Sequence, residues 1–240
     1  TDVDGVFTAD PRVVSDARLL KVVSYEEMLE MTATGTKVLQ VRSVEYARNH
    51  KVVIEVKSSF SDAGGTVIKE SDEMMEKAIV SAIAHDLEEA KITIFGVPDR
   101  PGIAAAVFRA LADAQINVDV IIQNVSEKGI TDISFTLPAS DFVRGKQTIE
   151  ELVKDLDARG SAFDEDIAKV SLIGGGMRSH PGIAARMFEI LAENKINIDM
   201  ISTSAIKISC VIEEKDADRA VRALHDGFNL KDADGLSSGA

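Results

Sequence analysis

The chain is poor in the residues that mark several classes of protein. Its 240 residues include one cysteine and no tryptophan. An intramolecular disulfide framework is therefore excluded, and we expect a reducing compartment, the cytoplasm. Basic residues are in the minority, since 27 Lys and Arg stand against 40 Asp and Glu, for a formal charge of −13. A nucleic-acid partner rewards clustered basic side chains, so none is expected.

Long apolar runs and metal-binding patterns are also missing. No run reaches the length of a membrane span, and no basic-then-apolar signal opens the chain, so we expect no membrane partner. Four scattered His residues show no metal spacing, which predicts no metal site. Gly174–Gly176 lacks a following Gly-Lys-Ser/Thr and is interpreted as a turn. Cys210 lies in an apolar run and is expected to be a small core residue.

An internal repeat is the most informative feature that is present. The segment KITIFGVPDRPGIAAAVFRALADAQINVDVIIQNVS, from Lys91, recurs from Lys169 as KVSLIGGGMRSHPGIAARMFEILAENKINIDMISTSAI. Aligning 101–119 with 181–199 gives 11 identities in 19 positions. A spacing of about 80 residues is too long for a solenoid repeat. It predicts a small domain that has been duplicated.

Each copy predicts the element order β-α-β-β-α. Apolar residues recur at three- and four-residue spacing after each Pro-Gly, which is typical of an amphipathic helix with proline in its first turn. This order is the split-βαβ, ferredoxin-like arrangement, so the fold class is α/β (α+β). The predicted elements are, in the first copy, Ile92–Phe95, the Pro-Gly helix, Val118–Val125, Thr131–Leu137 and Ser140–Arg159, and in the second, Val170–Ile173, the Pro-Gly helix, Ile198–Ser204, Ile206–Ile212 and Asp216–Gly227 with Asp216 as N-cap.

A ferredoxin-like sheet needs a fourth strand after its second helix. The sequence is polar between Arg159 and Val170, and the tail after Leu230 is polar and rich in Gly and Ser, so neither predicts a strand. The β-rich run Ala78–Ala84 precedes the first copy instead. We expect this run to complete one of the two sheets, and we favour the sheet of the second copy. The two units would then be interleaved along the chain.

The front of the chain has a different pattern. Helical apolar spacing covers Leu19–Ala33, a second short helix lies within Val38–His50, and Val52–Val56 predicts a strand. A Gly-rich turn at 62–65 and the polar run Lys69–Met74 mark a boundary. The expected organisation is a front segment at 1–70, a linker with the extra strand at 71–90, the two copies at 91–166 and 167–230, and a disordered tail at 231–240.

The repeated turn has the groups that a free amino acid would need. A helix start presents N–H donors and a positive dipole end, which suit a carboxylate. Asn117 and Asp119 lie across from that turn in a ferredoxin-like unit and could accept from an ammonium group. The alternative is that Pro-Gly and Asn are only turn and cap residues. Duplication supports the first interpretation without excluding the second, because it also preserves residues needed for folding.

The repeated unit resembles the ACT domain, a ligand-binding module of amino-acid biosynthesis. The resemblance lies in the order of a strand, a Gly, the run D-R-P-G, a helix and the run I-N-V-D. Two such modules follow TDVDGVFTADPR at Thr1–Arg12 and SYEEMLEMTATGTKVLQVRSVEYA at Ser24–Ala47. Together they resemble the C-terminal part of aspartate kinase, the end of an amino-acid-kinase α/β domain followed by two ACT domains. The resemblance covers nearly the whole chain.

This resemblance implies a kinase that phosphorylates L-aspartate to 4-phospho-L-aspartate with ATP and Mg²⁺, the first step of lysine, threonine and methionine biosynthesis. Phosphoryl transfer depends on positioning and on donors around spreading negative charge. No tightly bound cofactor is implied, and no catalytic residue is assigned within this segment. The residues that the resemblance places at the nucleotide are Thr1, Asp2, Phe7, Thr8, Ala9, Asp10, Pro11, Arg12 and Lys37.

The resemblance also implies feedback regulation by lysine, threonine or both at the ACT domains. Some family members have a hydroxyl residue where Ala184 stands, so the second site's preference stays open. His180 stands where the first copy has Arg100 and is expected to be a surface turn residue. The implied effector residues are Asp99, Arg100, Pro101, Gly102, Ile103, Ala104, Asn117, Val118, Asp119 and Gln123 in the first copy, and Ile183, Ala184, Asn197, Ile198 and Ser204 in the second.

Two alternatives stay open beside a feedback-regulated kinase. The family's Lys-Phe-Gly-Gly-Thr-Ser segment and aspartate-binding residues are not in this sequence, so the chain alone is expected to be inactive and part of a longer enzyme. The first alternative is a non-catalytic regulatory subunit that senses an amino acid and pairs with a separate catalytic chain. The second is ACT modules attached to another enzyme, against which TDVDGVFTADPR counts. The resemblance implies either a homo-oligomer or a catalytic–regulatory assembly through the ACT domains.

Overall fold

The computed structural model describes residues 1–62, 64–72, 79–124 and 129–232 and divides into two compact units. One unit is Glu88–Ile167, and the other combines Thr1–Leu87 with Ala168–Ala240. Within the described ranges, no helix combines the length and apolar character needed to cross a bilayer. Most of the tail predicted to be disordered, 233–240, lies outside the described residues.

The α-helices and strands of the described residues come in the following order along the chain. They are β1 (Val22–Ser24), α1 (Tyr25–Ala33), α2 (Val41–His50), β2 (Ile54–Val56), β3 (Thr66–Lys69), β4 (Ala82–Asp86), β5 (Glu89–Pro98), α3 (Ile103–Asp113), β6 (Ile121–Gln123), β7 (Ile130–Pro138), α4 (Phe142–Asp155), β8 (Gly160–Asp164), β9 (Ile167–Ile173), α5 (Ile183–Glu193), β10 (Met200–Thr203), β11 (Lys207–Glu213) and α6 (Ala217–Gly227).

The front segment forms a three-stranded sheet in the order β1-β3-β2, with β1 parallel and β2 antiparallel to β3. The prediction of helix from Leu19 is wrong at its beginning, because Val22–Ser24 pairs with β3. Ser24 and Glu27 cap α1 reciprocally, which fixes the helix start. The strand β3 was not predicted, since a four-residue run beside polar turns gives little periodic signal.

The unit Glu88–Ile167 is a four-stranded antiparallel sheet in the order β6-β7-β5-β8, with α3 and α4 packed against it. The ferredoxin-like prediction is confirmed. The expectation of no strand after Arg159 is wrong, since β8 pairs with β5 from Phe95↔Gly160 to Lys91↔Asp164. None of the β8 residues is fully buried, and an edge strand without a buried face has no apolar alternation to reveal it.

The second copy forms a sheet in the order β10-β11-β9-β4. Here β4 takes the position that β8 has in the first copy, and it pairs with β9 from Ala82↔Ile173 to Asp86↔Lys169. The expected additional strand is therefore present, a few residues after the predicted start at Ala78, which lies outside the described residues. The first copy is inserted between the fourth strand of the second copy and the rest of it.

Both faces of the β4–β9 region are buried within the larger unit. Ile83, Val170 and Leu172 belong to the core formed with α5 and α6. On the opposite face, Ala82, Ala84 and Ile173 share a core with Met28 and Met31 of α1. The front segment and the second copy are thus joined by a common core. Cys210 is fully buried in β11, as expected, and burial raises the pKa of its thiol to about 12.

Candidate functional site

The predicted effector turn of the first copy ends in a glycine that opens α3. Gly102 is the N-cap residue with φ 100°, and no side chain caps the helix. The prediction that Pro101 lies in the first helical turn is wrong, because α3 begins at Ile103, one residue after the glycine. A left-handed N-cap conformation strongly favours glycine. The Ile103 N–H donates to the Arg100 carbonyl at 3.4 Å, and the next N–H groups of the first turn are left for solvent or a ligand to satisfy.

The segment across from this turn is held by the sheet. The Asp119 N–H donates to the Thr136 carbonyl at 3.0 Å, and the Thr136 N–H donates to the Val120 carbonyl at 3.0 Å. Val118 packs against the same core to which Ile103 belongs. One core therefore links the helix start to the 117–119 segment. Asp99, Arg100, Pro101, Gly102, Asn117, Asp119 and Gln123 are exposed, Ala104 and Val118 are half-buried, and Ile103 is buried.

The second copy repeats this geometry. Gly182 is the N-cap of α5 with φ 98°, again without a capping side chain. The Asp199 N–H donates to the Val211 carbonyl at 2.9 Å. Half-buried Ile183, Ala184 and Ile198 pack against one core. The two helix starts, which come from the repeated P-G-I-A, therefore have the same backbone conformation.

Three predicted residues of the second copy make side-chain contacts. Asn197 is exposed and donates from Nδ2 to Asp199 Oδ1 at 3.4 Å. Ser204 is exposed, and its hydroxyl donates to Glu30 Oε1 of α1 at 3.4 Å. His180, in the turn as expected, is half-buried with Nδ1 2.8 Å from the Gly176 carbonyl. The contact between Ser204 and the front segment is one that the repeat could not predict.

The predicted nucleotide run begins as an extended segment. Phe7 bridges to Leu19, and the Thr8 N–H donates to the Arg18 carbonyl at 2.9 Å. Ala9 is buried in the core shared with α5 and α6. Thr8 and Ala9 therefore turn their side chains away from solvent. Exposed members of the nucleotide set are Thr1, Asp2, Pro11, Arg12 and Lys37, and Phe7 and Asp10 are half-buried.

Arg12 and Asp10 form an ion pair at the end of this run. Arg12 donates from a terminal guanidinium nitrogen to Asp10 Oδ2 at 2.6 Å and from its backbone N–H to Oδ1 at 2.9 Å. The side-chain hydrogen bond from Arg12 holds the pKa of Asp10 below its ordinary value. The carboxylate thus stays ionised, and it orients an exposed guanidinium that could meet phosphate oxygens.

Sequence reasoning missed two side chains that join the front segment to the second copy. Buried Thr8 Oγ1 lies 3.0 Å from Nε2 of His225 in α6, and both residues are 0% exposed. Glu27, 4% exposed, accepts from the Gly175 N–H at 3.1 Å. The S-x-x-E spacing at Ser24–Glu27 is a capping-box signal that could have identified Glu27 as a structural residue. No local pattern marks His225.

Comparisons with known proteins agree with this division of the chain. Residues 91–157 and 170–228 match ACT domain models, and residues 1–58 match the amino acid kinase family. The aspartokinase of Mycolicibacterium smegmatis is 53% identical over 234 residues, which cover 96% of this chain and 56% of that protein. The chain therefore spans about half the length of the curated relatives it matches.

Solved structures give the same relationship. A structure of aspartokinase alpha and beta subunits is 47% identical with a TM-score of 0.60, covering 62% of this chain and 99% of that chain. E. coli aspartokinase III in complex with lysine and aspartate (T-state) is 28% identical, with a TM-score of 0.76 over 96% of this chain and 50% of that one. The complex of E. coli aspartokinase III with aspartate and ADP (R-state) is 29% identical, with a TM-score of 0.82. The match covers 95% of this chain and 51% of that one. With a 47% identical relative covered almost completely and three domain matches in this order, the chain belongs to the aspartokinase family.

Proposed function

We propose that this chain is the C-terminal part of an aspartate kinase, which transfers the γ-phosphoryl group of ATP to the side-chain carboxylate of L-aspartate. The product is 4-phospho-L-aspartate, the entry to lysine, threonine and methionine biosynthesis. The observation that carries the proposal is the amino-acid-kinase match at 1–58 in the same chain as two ACT domains, with aspartokinase relatives matched across 96% of it. The domain boundaries stated from the sequence are part of this proposal.

The nucleotide is proposed to bind at the exposed members of the front set. Arg12, pre-oriented by Asp10, and Lys37 supply positive charge for the phosphates. Ala9 would contribute through its backbone, because its side chain is buried. Thr8 would only hold the run in place, since its side chain is buried and its N–H and carbonyl are bonded to Arg18 and Ile83. Support comes from the E. coli relative, which was solved with ADP and aspartate. Mg²⁺ is included as the companion of ATP, since it is generally held by substrate phosphates with one or two carboxylates.

Lysine, threonine or both are proposed to bind at the ACT domains and inhibit the kinase. The uncapped starts of α3 and α5 suit the effector's carboxylate. Exposed Asp119 and Asn117 could accept from its ammonium group. The lysine complex of the E. coli relative supports this class of ligand. Assembly through ACT domains, as a homo-oligomer or with separate catalytic chains, belongs to the same proposal.

The alternative function is a regulatory subunit that senses an amino acid without catalysing. One observation favours it: the structure with alpha and beta subunits is covered to 99% by only 62% of this chain. A shorter protein that corresponds to only part of this chain therefore exists in the family.

The test is made on the gene product that contains this chain, isolated at its natural length. Incubation with ATP, Mg²⁺ and aspartate in hydroxylamine should give aspartyl hydroxamate, and replacing aspartate by glutamate should give none. Calorimetric titration with lysine and with threonine should show binding of at least one. Effector binding without hydroxamate formation would favour the regulatory subunit, and absence of both would overturn the proposal.

A further inference from the structure

The outer faces of the two repeated sheets have equivalent residues in different surroundings. In the first copy, Thr93 and Ser134 hydroxyls lie 3.0 Å apart, partly buried, and Phe95 is 40% exposed. In the second copy, Ser171 and Ser209 hydroxyls lie 2.7 Å apart and fully buried, and Ile173, the counterpart of Phe95, is 0% exposed. The difference arises because α1 covers the second sheet within the same unit.

Small residues allow this close packing. Ala82 and Ala84 of β4 lie in one core with Met28 and Met31, and the two methionines are at most 1% exposed. Unbranched methionine side chains adapt to an irregular surface. The helix is thus packed directly on the second ACT sheet, and any shift of that sheet acts on α1.

Two carboxylates on α1 fix the position of this helix on the second ACT sheet. Glu27 and Glu30 are three residues apart and so lie on one face of the helix. Glu27 Oε1 accepts from the Gly175 N–H at 3.1 Å and from the Ser81 hydroxyl at 2.5 Å. Glu30 Oε2 pairs with Lys207 Nζ at 2.8 Å, and the two side chains are 25% and 16% exposed. Both carboxylates therefore bind the second copy and not only solvent.

These partners lie at two borders of the proposed second effector site. Gly175 begins the short 3₁₀ turn Gly175–Ser179, which leads into the start of α5. Ser204 and Lys207 flank the β10–β11 connection, where the Ser204 N–H donates to the Lys207 carbonyl at 2.8 Å. Ser204 also contacts Glu30 and belongs to the proposed effector set. A ligand that rearranges either border changes a contact with α1.

The other end of α1 leads to a proposed nucleotide residue. The Thr34 and Thr36 N–H groups both donate to the Met31 carbonyl at 3.1 Å. Gly35 has φ +90° and packs against β4, so that an added Cβ would lie 2.6 Å from the His85 carbonyl oxygen. The segment Thr34–Lys37 is therefore held between the end of α1 and the second ACT sheet.

We propose that α1 couples the second ACT domain to the nucleotide site, with Glu27 and Glu30 as positioning residues for the Thr34–Lys37 segment. The identities of the two ligands, an amino acid at one end and a nucleoside triphosphate at the other, rest on the proposed function. The contacts of Glu27 and Glu30 with the second copy do not depend on the proposed function. Effector coupling of this kind typically changes affinity by about fivefold to 150-fold.

The first experiment tests the coupling without any ligand. Glu30→Gln, Lys207→Met and the double variant of this chain are compared by hydrogen exchange of amides 30–37. Each single change should speed exchange by about threefold, and the double variant should match the singles because both break one ion pair. Glu45→Gln, at an exposed position in the middle of α2, and Lys215→Met, an exposed lysine of the second copy, are the controls and should leave exchange unchanged. Unaltered exchange in Glu30→Gln and Lys207→Met, or full additivity, would overturn the proposal.

The second experiment adds lysine or threonine and measures binding by calorimetry on the same variants. The amino acid that binds should change exchange of amides 24–37 at least twofold in the natural sequence and in the control Glu45→Gln. The double variant should lose more than half of that response while its affinity stays within about threefold, a separation that a purely structural role would not produce. Binding without any response in 24–37 overturns the coupling but leaves the sensor proposal intact. If neither lysine nor threonine binds, the sensor proposal is contradicted. The hydrogen-exchange comparison without ligand then tests the coupling by itself.

Discussion

At the scale of single residues, the Thr8–His225 pair connects the front run to α6. Thr8 Oγ1 already accepts from the Arg18 N–H at 2.9 Å, so its hydroxyl hydrogen is best used toward His225 Nε2. The ring hydrogen is then on Nδ1, which is buried and has no hydrogen-bond partner among the described residues. Burial, the largest cause, lowers the pKa of His225, although Asp16 and Asp226 act in the opposite direction. The folded chain therefore holds this imidazole neutral.

This pair predicts a loss of stability in mild acid. The pKa of His225 is lower in the folded chain than in the unfolded one, where it is about 6.5. Below pH 6.5 the unfolded state gains a proton that the folded state does not, so the free energy of unfolding falls as pH falls. For one proton the slope is at most about 1.4 kcal/mol per pH unit.

The measurement is the urea midpoint of the transition that unfolds the larger unit, at pH 7.5 and at pH 5.5. His225→Gln, which keeps an acceptor for Thr8, should show a smaller drop than the natural sequence. His50→Gln, at an exposed position, is the matched control and should not alter the drop. An equal drop in His225→Gln and the natural sequence would contradict the prediction.

Asp119 gives a second prediction at this scale. Removing its carboxylate takes away a proposed acceptor for the effector's ammonium group, while its backbone bond to Thr136 stays. Asp119→Ala in the whole kinase should raise the effector concentration for half-inhibition by about 10- to 150-fold, the effect of losing a charged hydrogen bond worth about 1.5 to 3 kcal/mol. The kcat without effector should be unchanged. Exposed Asp113→Ala, at the end of α3, is the control, and unchanged inhibition in Asp119→Ala would remove Asp119 from the site.

At the scale of elements, the starts of α3 and α5 are the part of the repeat proposed to meet the effector's carboxylate. Both helices begin after a glycine with positive φ, and neither has a capping side chain. A serine or aspartate at that position would satisfy the first-turn N–H groups itself. The glycine leaves those groups uncapped, and its lack of a side chain would let the carboxylate of the proposed effector approach the backbone closely.

This element predicts the effect of a single added methyl group. Gly102→Ala introduces no steric contact, because nothing lies within 4 Å of the added Cβ, but it places a side chain at φ +100°. The backbone strain should lower the stability of the Glu88–Ile167 unit by about 1 to 2 kcal/mol. Hydrogen exchange of that unit's core amides measures the loss. Gly64→Ala, with open space and no positive φ, should cost little, and equal effects at the two glycines would refute the strain argument.

At the scale of the whole molecule, the chain is two units, each with its own core. The Glu88–Ile167 unit is built around Ile92, Ile94 and Phe135. The larger unit has one core with α5 and α6 and another with α1. Such a chain need not unfold in a single step, because each core can be lost separately.

Separate cores predict a localised response to mutation. Ile133 is 0% exposed in the core of the smaller unit, so Ile133→Ala should destabilise that unit by about 2 to 5 kcal/mol. Amides of β5 and β7 should exchange faster, while those of β9 and β11 should change little. Val143→Ala, at a side chain 68% exposed in the same unit, should stay near the natural sequence. Equal acceleration in both units would show that they unfold together.

The sequence by itself was enough to identify the duplicated ferredoxin-like units and the family. Those features depend on local signals: apolar periodicity, glycine and proline at turns, and a run as specific as TDVDGVFTADPR. The additional strand before the first copy was also predictable, because a sheet with three strands and one unassigned apolar run leaves few arrangements. The edge strand β8 was not predictable from the sequence, because its residues do not alternate between buried and exposed positions.

Only the tertiary structure determined which surfaces of the two copies differ. Lys91 and Lys169 occupy equivalent positions in the repeat, as do Thr93 and Ser171. Nothing in these local sequences shows that α1 covers the sheet of the second copy. The contacts of Glu27 with Gly175 and of Thr8 with His225 join residues 148 and 217 positions apart. Local propensity acts over a few residues, whereas such contacts arise from the packing of whole elements into a shared core.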